Sequence, residues 1–208
     1  PTHRPLQRTA LPDQMLLSEQ QKWSAVIESI KDVHRQERPI LVGTRTVAES
    51  EQLSALLTAA NLAHVVLNAR QDAEEARIIA AAGEKRRITV ATNMAGRGTD
   101  IKLTAAAKRA GGLHVIATCL HDARRIDRQL FGRSARQGDP GSVQRIVSLQ
   151  DEIFKHYLNP GLLALIQSLA RRRGQLSSQV VKAVCALAQY RAERQQLRVL
   201  FFPIEAVR

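Results

Sequence analysis

The 208-residue chain is 44% hydrophobic and 24% charged, near globular averages, which excludes a fibrous or disordered polymer and allows one large domain or one domain with an appendage. Seven aromatic residues leave an aliphatic core and few stacking platforms for single-stranded nucleic acid. A net charge of +12 nevertheless calls for a polyanionic partner or an acidic membrane surface, and two segments carry it: residues 102–145, with nine basic and three acidic side chains, and residues 171–208, with eight and two.

Residues 1–17, opening Pro1-Thr2-His3-Arg4-Pro5 and later Leu11-Pro12-Asp13, read as an extended linker, because each proline fixes its own φ and biases its predecessor away from helix. Ser18-Glu19-Gln20-Gln21 has the capping-box pattern, and Trp23, Val26, Ile27 and Ile30 follow at helical spacing, so a helix is expected over 18–36. Ile40-Leu41-Val42 is a short strand ending at Gly43-Thr44, and a second capping box, Thr46 to Glu49, opens a helix carrying Leu53, Leu56 and Leu57. Strands at 64–67, 88–91, 113–117 and 143–149 alternate with helices at 71–82 and 122–131. Such alternation predicts an α/β fold of right-handed crossovers, a parallel sheet covered by helices on both faces. Beyond Asp151 only helices are expected, over 161–172 and 176–200, the latter with Val180, Val184, Leu187 and Leu197 on its apolar stripe. The apolar run Leu200-Phe201-Phe202-Pro203-Ile204 reads as a docking element or as an ordinary helix end packing back on its own domain.

Cys119 and Cys185 lack CxxC partners or histidines at ligand spacing, so neither zinc nor a disulfide framework is indicated and a reducing cytosol is the default. No apolar run approaches the roughly 18 residues that span a bilayer, which leaves peripheral membrane contact. The first residue is Pro1, the start expected of a processed or excised chain.

Phosphate chemistry needs backbone N–H groups that can approach an anion and cations to neutralise it, and on a parallel sheet both are expected at the carboxyl ends of strands. Two loops qualify: residues 92–100, with Gly96, Gly98, Thr99 and Asp100, and residues 129–141, with Arg133 and Arg136 three positions apart, a spacing that would turn both guanidinium groups toward one anion on a helical turn. Arginine suits that task because its planar fork stays charged and can grip phosphoryl oxygens bidentately. Arg124, Arg125 and Arg128 read equally well as a solvated helix face. His114, alternating with apolar residues, reads as a packed core histidine; His121, near a helix start, as a partner for a loop carbonyl; and Trp23 as core.

The two loops in this order resemble motifs V and VI of superfamily 2 helicase-type motors. In detail, Ala91-Thr92-Asn93-Met94-Ala95-Gly96-Arg97-Gly98-Thr99-Asp100-Ile101, then Gly111-Gly112-Leu113-His114-Val115-Ile116, then Arg124-Arg125-Ile126-Asp127 leading through Gln129 into Gly132 to Gly141, is similar to the SecA family of preprotein translocase ATPases. Residues 1–5, 39–44 and 148–151 agree with that family. The resemblance covers roughly residues 1–155, as a RecA-like second nucleotide-binding domain over 18–155, and residues 156–208 resemble the start of the family's helical scaffold.

The resemblance implies an ATP site in a cleft between two RecA-like domains, with Arg136 as arginine finger, Arg133 as its motif VI companion and Asp139 as a nucleotide contact. Gln129 would couple its helix to the cleft, and Gly98, Thr99 and Asp100 would line the nucleotide edge. The implied partners are the first nucleotide-binding domain, a SecY-type channel, preprotein and an anionic membrane surface, at the cytoplasmic, inner face of the plasma membrane. No GxxxxGK[ST] run occurs in the 208 residues, so the β-phosphate cradle, and Mg with it, would come from that first domain, and this chain alone is expected not to hydrolyse ATP. Asp151-Glu152 cannot replace a Walker B acid, because these residues begin a helix. Departures from the family are Ala135 where a glycine separates the two arginines, Phe131 where arginine is usual, Cys119-Leu120 in place of a polar pair, a glycine-free stretch at 103–110 and a short connector after residue 155. If position 135 needs positive φ, alanine strains the loop. The rival function is a superfamily 2 nucleic-acid helicase domain or a basic nucleic-acid-binding module, supported by the charge and opposed by the aromatic poverty; a decayed, inactive fragment is a third.

Overall fold

The computed structural model describes residues 5, 7–67, 72–92 and 100–201. In chain order these form β1 (Gln7–Ala10), β2 (Gln14–Leu16), α1 (Glu19–Arg35), β3 (Ile40–Thr44), α2 (Val47–Ala59), β4 (Val65–Leu67), α3 (Asp72–Ala81), β5 (Ile88–Thr92) and α4 (Ala105–Arg109). They continue with β6 (Leu113–Ala117), α5 (Arg124–Phe131), β7 (Pro140–Ser148), α6 (Glu152–Tyr157), α7 (Pro160–Arg173) and α8 (Ser178–Phe201). The sheet runs β1-β7-β6-β3-β5-β4 with β2 also on β7, and every pair is parallel. That is the doubly covered α/β sheet the alternation predicts.

Period-two alternation divides the core between the faces. Ile40 and Val42 of β3 join Trp23, Val26 and Ile30 of α1 and Leu53 and Leu57 of α2. Leu41 points the other way, to Ile79, Val115 and Val143, with Leu130 of α5 packed against that cluster. Both predicted capping sites are used. Ser18 Oγ accepts from the Gln21 N–H, and at α2 the Thr46 and Glu49 side chains cap each other's backbone N–H groups reciprocally. Trp23 is core, as expected, and its Nε1 donates to Glu19.

Two expectations are corrected. The presumed linker contains β1 and β2, which run along β7 with Gln7 opposite Pro140 and Gln14 opposite Ile146. The segment is extended, as its prolines require, but its backbone donors and acceptors go into the sheet edge rather than to water. The stripe assigned to the last helix is also wrong in part: Val180 and Leu197 are exposed, and the buried face of α8 is Val181, Val184, Cys185, Ala188 and Ala192. Val181, Val184, Cys185 and Ala188 share a third cluster with Leu120, Val147, Leu149, Phe154 and Ile166, so the helical segment packs back on the sheet. The residues beyond Phe201, including Phe202, Pro203 and Ile204, lie outside the described residues.

The turn after β7 is tied to α1 by a buried ion pair. Lys22, 1% exposed, places Nζ 2.9 Å from Asp151 Oδ1 and over the Trp23 ring. Asp151 Oδ2 accepts from the Ser148 N–H and the Gln150 side chain accepts from the Glu19 N–H, which gives the residues 148–151 a structural reason.

Candidate functional site

Helix α5 organises the site. It starts beyond the carboxyl end of β6 and runs back across the sheet face, so the loop that follows it, residues 132–139, lies at the amino ends of β6 and β7. Ser134, buried there, donates to the carbonyl of Leu113, the first residue of β6, and Leu113 pairs with Gly141. The expectation that both motif loops share the carboxyl edge is therefore corrected. The loop is tight. A Cβ at Gly141 would overlap Ser134 Oγ, and one at Gly112, where φ is +72°, would overlap the Pro140 carbonyl.

Arg133 and Arg136 do not sit on one helical turn. Between them Ala135 takes left-handed dihedrals, φ 60° and ψ 40°, with its methyl buried, so the condition under which alanine strains this position is met, at about 1–2 kcal/mol. Arg136 then begins a single 3-10 turn (Arg136–Gly138), whose Gln137 is also left-handed. Arg133 lines a recess between α3 and α5 that reaches Thr44 and Thr92 at the ends of β3 and β5 and includes Gln129 and His121.

Arg136 meets the other motif. Its Nη1 lies 2.9 Å from Asp100 Oδ1, its Nε donates to the Gly132 carbonyl, and Gln137 Nε2 donates to Asp100 Oδ2. The pair is not an internal one: the side chains of Arg136 and Asp100 are 44% and 37% exposed. Asp139 is engaged elsewhere, with its carboxylate 2.7 Å from Lys108 Nζ. Gly98 and Thr99 lie outside the described residues.

The carboxyl-edge end of α5 has its own network. His121 Nδ1 is 2.6 Å from Asp127 Oδ1 rather than on a loop carbonyl as expected, and the His121 N–H also donates to that oxygen. Gln189 of α8 donates to Asp127 Oδ2 and to the His121 carbonyl. Arg124, one of the arginines that could have been a solvated face, donates its backbone N–H to Glu193 and Nη2 to the Ala186 carbonyl. Sequence reasoning missed Asp127, Gln189 and Glu193, whose partners are 62 and 69 positions apart along the chain. Phe131 lies under the Arg145 guanidinium, 5.5 Å from ring centroid to Cζ.

His114 is the packed core histidine expected: buried, with Nδ1 2.7 Å from Ser142 Oγ. Burial, helped by the Arg38 charge, lowers its pKa to about 4, so it is neutral at physiological pH and plays no part in the site. Burial likewise pushes the Cys119 thiol well above its ordinary range and makes it a core residue, not a nucleophile.

The chain matches the family model described as SecA P-loop domain over residues 5–109 and 104–174. It is 55% identical over 159 residues to Protein translocase subunit SecA 2 of Bordetella avium, covering 76% of this chain and 24% of that protein. It is 45% identical over 195 residues to SecA 2 of Magnetococcus marinus (94% and 30%) and 42% identical over 200 residues to SecA of Desulfovibrio desulfuricans (96% and 23%). The chain thus spans about a quarter to a third of the length of these relatives. Among solved structures it is similar in fold to the E. coli DEAD-box protein SrmB, with TM-score 0.55 and 20% identity over 75% of this chain and 87% of the other. It is also similar to the DEAD-box helicase domain 2 of Mss116p, with TM-score 0.51, 18% identity and coverage of 71% and 59%. The helicase-like, RecA-type fold is established by these two.

Proposed function

Since the chain belongs to the SecA family of protein translocase subunits, we propose that it is the second nucleotide-binding domain of a translocase motor, residues 18–155 with the edge strands before them, followed by the start of the helical scaffold. In this reading ATP is held by a first nucleotide-binding domain, which supplies the P-loop and Mg. The observation that carries it is the half-exposed Arg136, fixed by Asp100 between the two motif loops. A charge held this way at a surface is pre-positioned for an anion presented by a docked neighbour, and an exposed pair is worth only about 0.2–1 kcal/mol, so releasing it costs little.

The residues present fit a guest phosphoryl group. Arg136 would act as the arginine finger, stabilising charge that builds on the transferred group. Arg133, with Gln129 in the recess beside it, would contact the same group and register its presence in α5. Asp100, Thr99 and Gly98 would line the nucleotide edge, and Asp139 would contact the nucleotide while Lys108 holds its carboxylate. ATP supplies the bond to be cleaved. The work of the cycle would go to moving preprotein through a SecY-type channel at the inner, cytoplasmic face of the plasma membrane, where the two basic segments favour an anionic surface. The nucleic-acid alternative rests on the charge and on a fold likeness at 18–20% identity, which speaks to fold alone.

The experiment is reconstitution. Mixing the purified chain with a separately produced first nucleotide-binding domain of a SecA protein should yield ATP turnover that the chain alone lacks. Turnover by the chain alone, lost on Arg136→Ala, would overturn the division of labour.

A further inference from the structure

Helix α5 is short, about 12 Å at 1.5 Å per residue, and its two ends do different things. Gln129 and the arginines that follow it belong to the candidate site. The amino end carries no side-chain cap of its own, and its N-terminal N–H groups would ordinarily need one. Here α8 takes part in supplying it. Glu193 accepts from the Arg124 N–H at 2.9 Å, the Ala186 carbonyl accepts from Arg124 Nη2 at 3.2 Å, and Gln189, 5% exposed, donates to Asp127 Oδ2 at 2.7 Å and to the His121 carbonyl at 2.9 Å. Residues 186, 189 and 193 recur at three- and four-residue intervals, hence on one face of α8. Asp127 is itself 3% exposed and receives the His121 ring and backbone from the other side, so the two Gln189 bonds are shielded from water, while the Arg124 contacts lie at the half-exposed rim of the same joint.

We propose that Gln189 and Glu193 are positioning residues: they clamp the amino end of α5 and so fix the direction in which its far end presents Arg133 and Arg136. The proposal rests on the nucleotide role argued above. A displacement of α8 along or about its axis must move Asp127, break the two Gln189 bonds, or pull α5 with it. The scaffold helix and the arginine loop are thereby one mechanical unit joined through buried polar contacts, which have discrete partners and not a continuum of positions. Cation placement matters steeply in phosphoryl transfer, where a misplacement of about 1 Å can cost on the order of a hundredfold in rate.

Two variants test it. Gln189→Met keeps the volume and removes both donors, and Glu193→Ala acts at a side chain 35% exposed, so that one survives if the other fails to fold. The first measurement is amide hydrogen exchange in the 208-residue chain: protection over residues 124–131 should fall roughly tenfold or more while β3 and β5 are unchanged. The second is ATP turnover in the reconstituted mixture, where kcat should fall about tenfold with KM for ATP within about twofold, the signature of lost orientation rather than lost binding. Glu193→Gln, which keeps an acceptor oxygen for the Arg124 N–H, should behave as the wild type in both. Unchanged exchange in α5, an equal loss of protection in β3 and β5, or an unchanged kcat in a chain whose α5 has loosened would each overturn the clamp. A wild-type mixture with no turnover would count against the nucleotide role, and exchange alone would then decide whether the clamp exists.

Discussion

Removing the acid from the Lys22–Asp151 pair should be among the most damaging single changes in this chain. The ammonium group is 1% exposed and has its salt-bridge partner at 2.9 Å; in Asp151→Ala it would stay in the interior beside the Trp23 ring without that carboxylate. An uncompensated buried charge costs about 3–5 kcal/mol, a large share of the 5–15 kcal/mol that typically holds a domain together. Lys22→Met should cost less, because burial already raises the pKa of Asp151 against the pull of Lys22 and the acid can take up a proton. In the double variant Lys22→Met/Asp151→Asn the amide oxygen can still accept from the Ser148 N–H, and stability should return to within about 1 kcal/mol of wild type, since an uncharged replacement of similar volume leaves no buried charge uncompensated. Urea unfolding followed by the fluorescence of Trp23, the only tryptophan, compares the wild type with the three variants. A cost below about 1 kcal/mol for Asp151→Ala would refute the assignment of Lys22 as a charge dependent on this partner.

Acid should weaken the fold through His114. Its folded pKa of about 4 lies below the 6.5 of the free side chain, so the unfolded chain binds the extra proton, the contribution is complete above about pH 6.5, and it is lost as pH falls toward 4. Between pH 7 and 4.5 the wild type should lose about 2–3 kcal/mol more than His114→Gln in matched urea titrations, at 1.36 kcal/mol per pKa unit. Gly112→Ala places a methyl group inside the Pro140 carbonyl at a positive φ and should lower stability by about 2 kcal/mol or more, read as the urea midpoint. Asp100→Ala should leave stability within about 1 kcal/mol of wild type, as expected for an exposed pair, which a thermal melt would check.

What the sequence made legible was local. The strands at 40–44, 88–92 and 113–117 are β-branched runs bounded by turns, and Thr46-Val47-Ala48-Glu49 contains its whole cap within four residues, so periodicity and capping rules find them. Gln7-Arg8-Thr9-Ala10 carries no apolar alternation, and it is a strand only because β7 offers an edge some 130 residues later. Gln189 is a polar residue between Ala188 and Tyr190 with no local signal of burial, and it is buried because Asp127 and the His121 carbonyl accept its amide across the fold. Residue type and spacing find the arginine pair but predict a helical turn between them; the left-handed dihedrals at Ala135 are signalled only by the glycine that the family resemblance implies there, not by Ser134-Ala135 itself.

The most direct test of the central claim is ATP turnover by the reconstituted domain pair carrying Arg136→Ala or Arg136→Lys. Both should fall by about a thousandfold or more, lysine failing because it lacks the planar fork, while each variant chain unfolds within about 1 kcal/mol of wild type. An Arg136→Ala pair that turns over within about threefold of wild type would contradict the account.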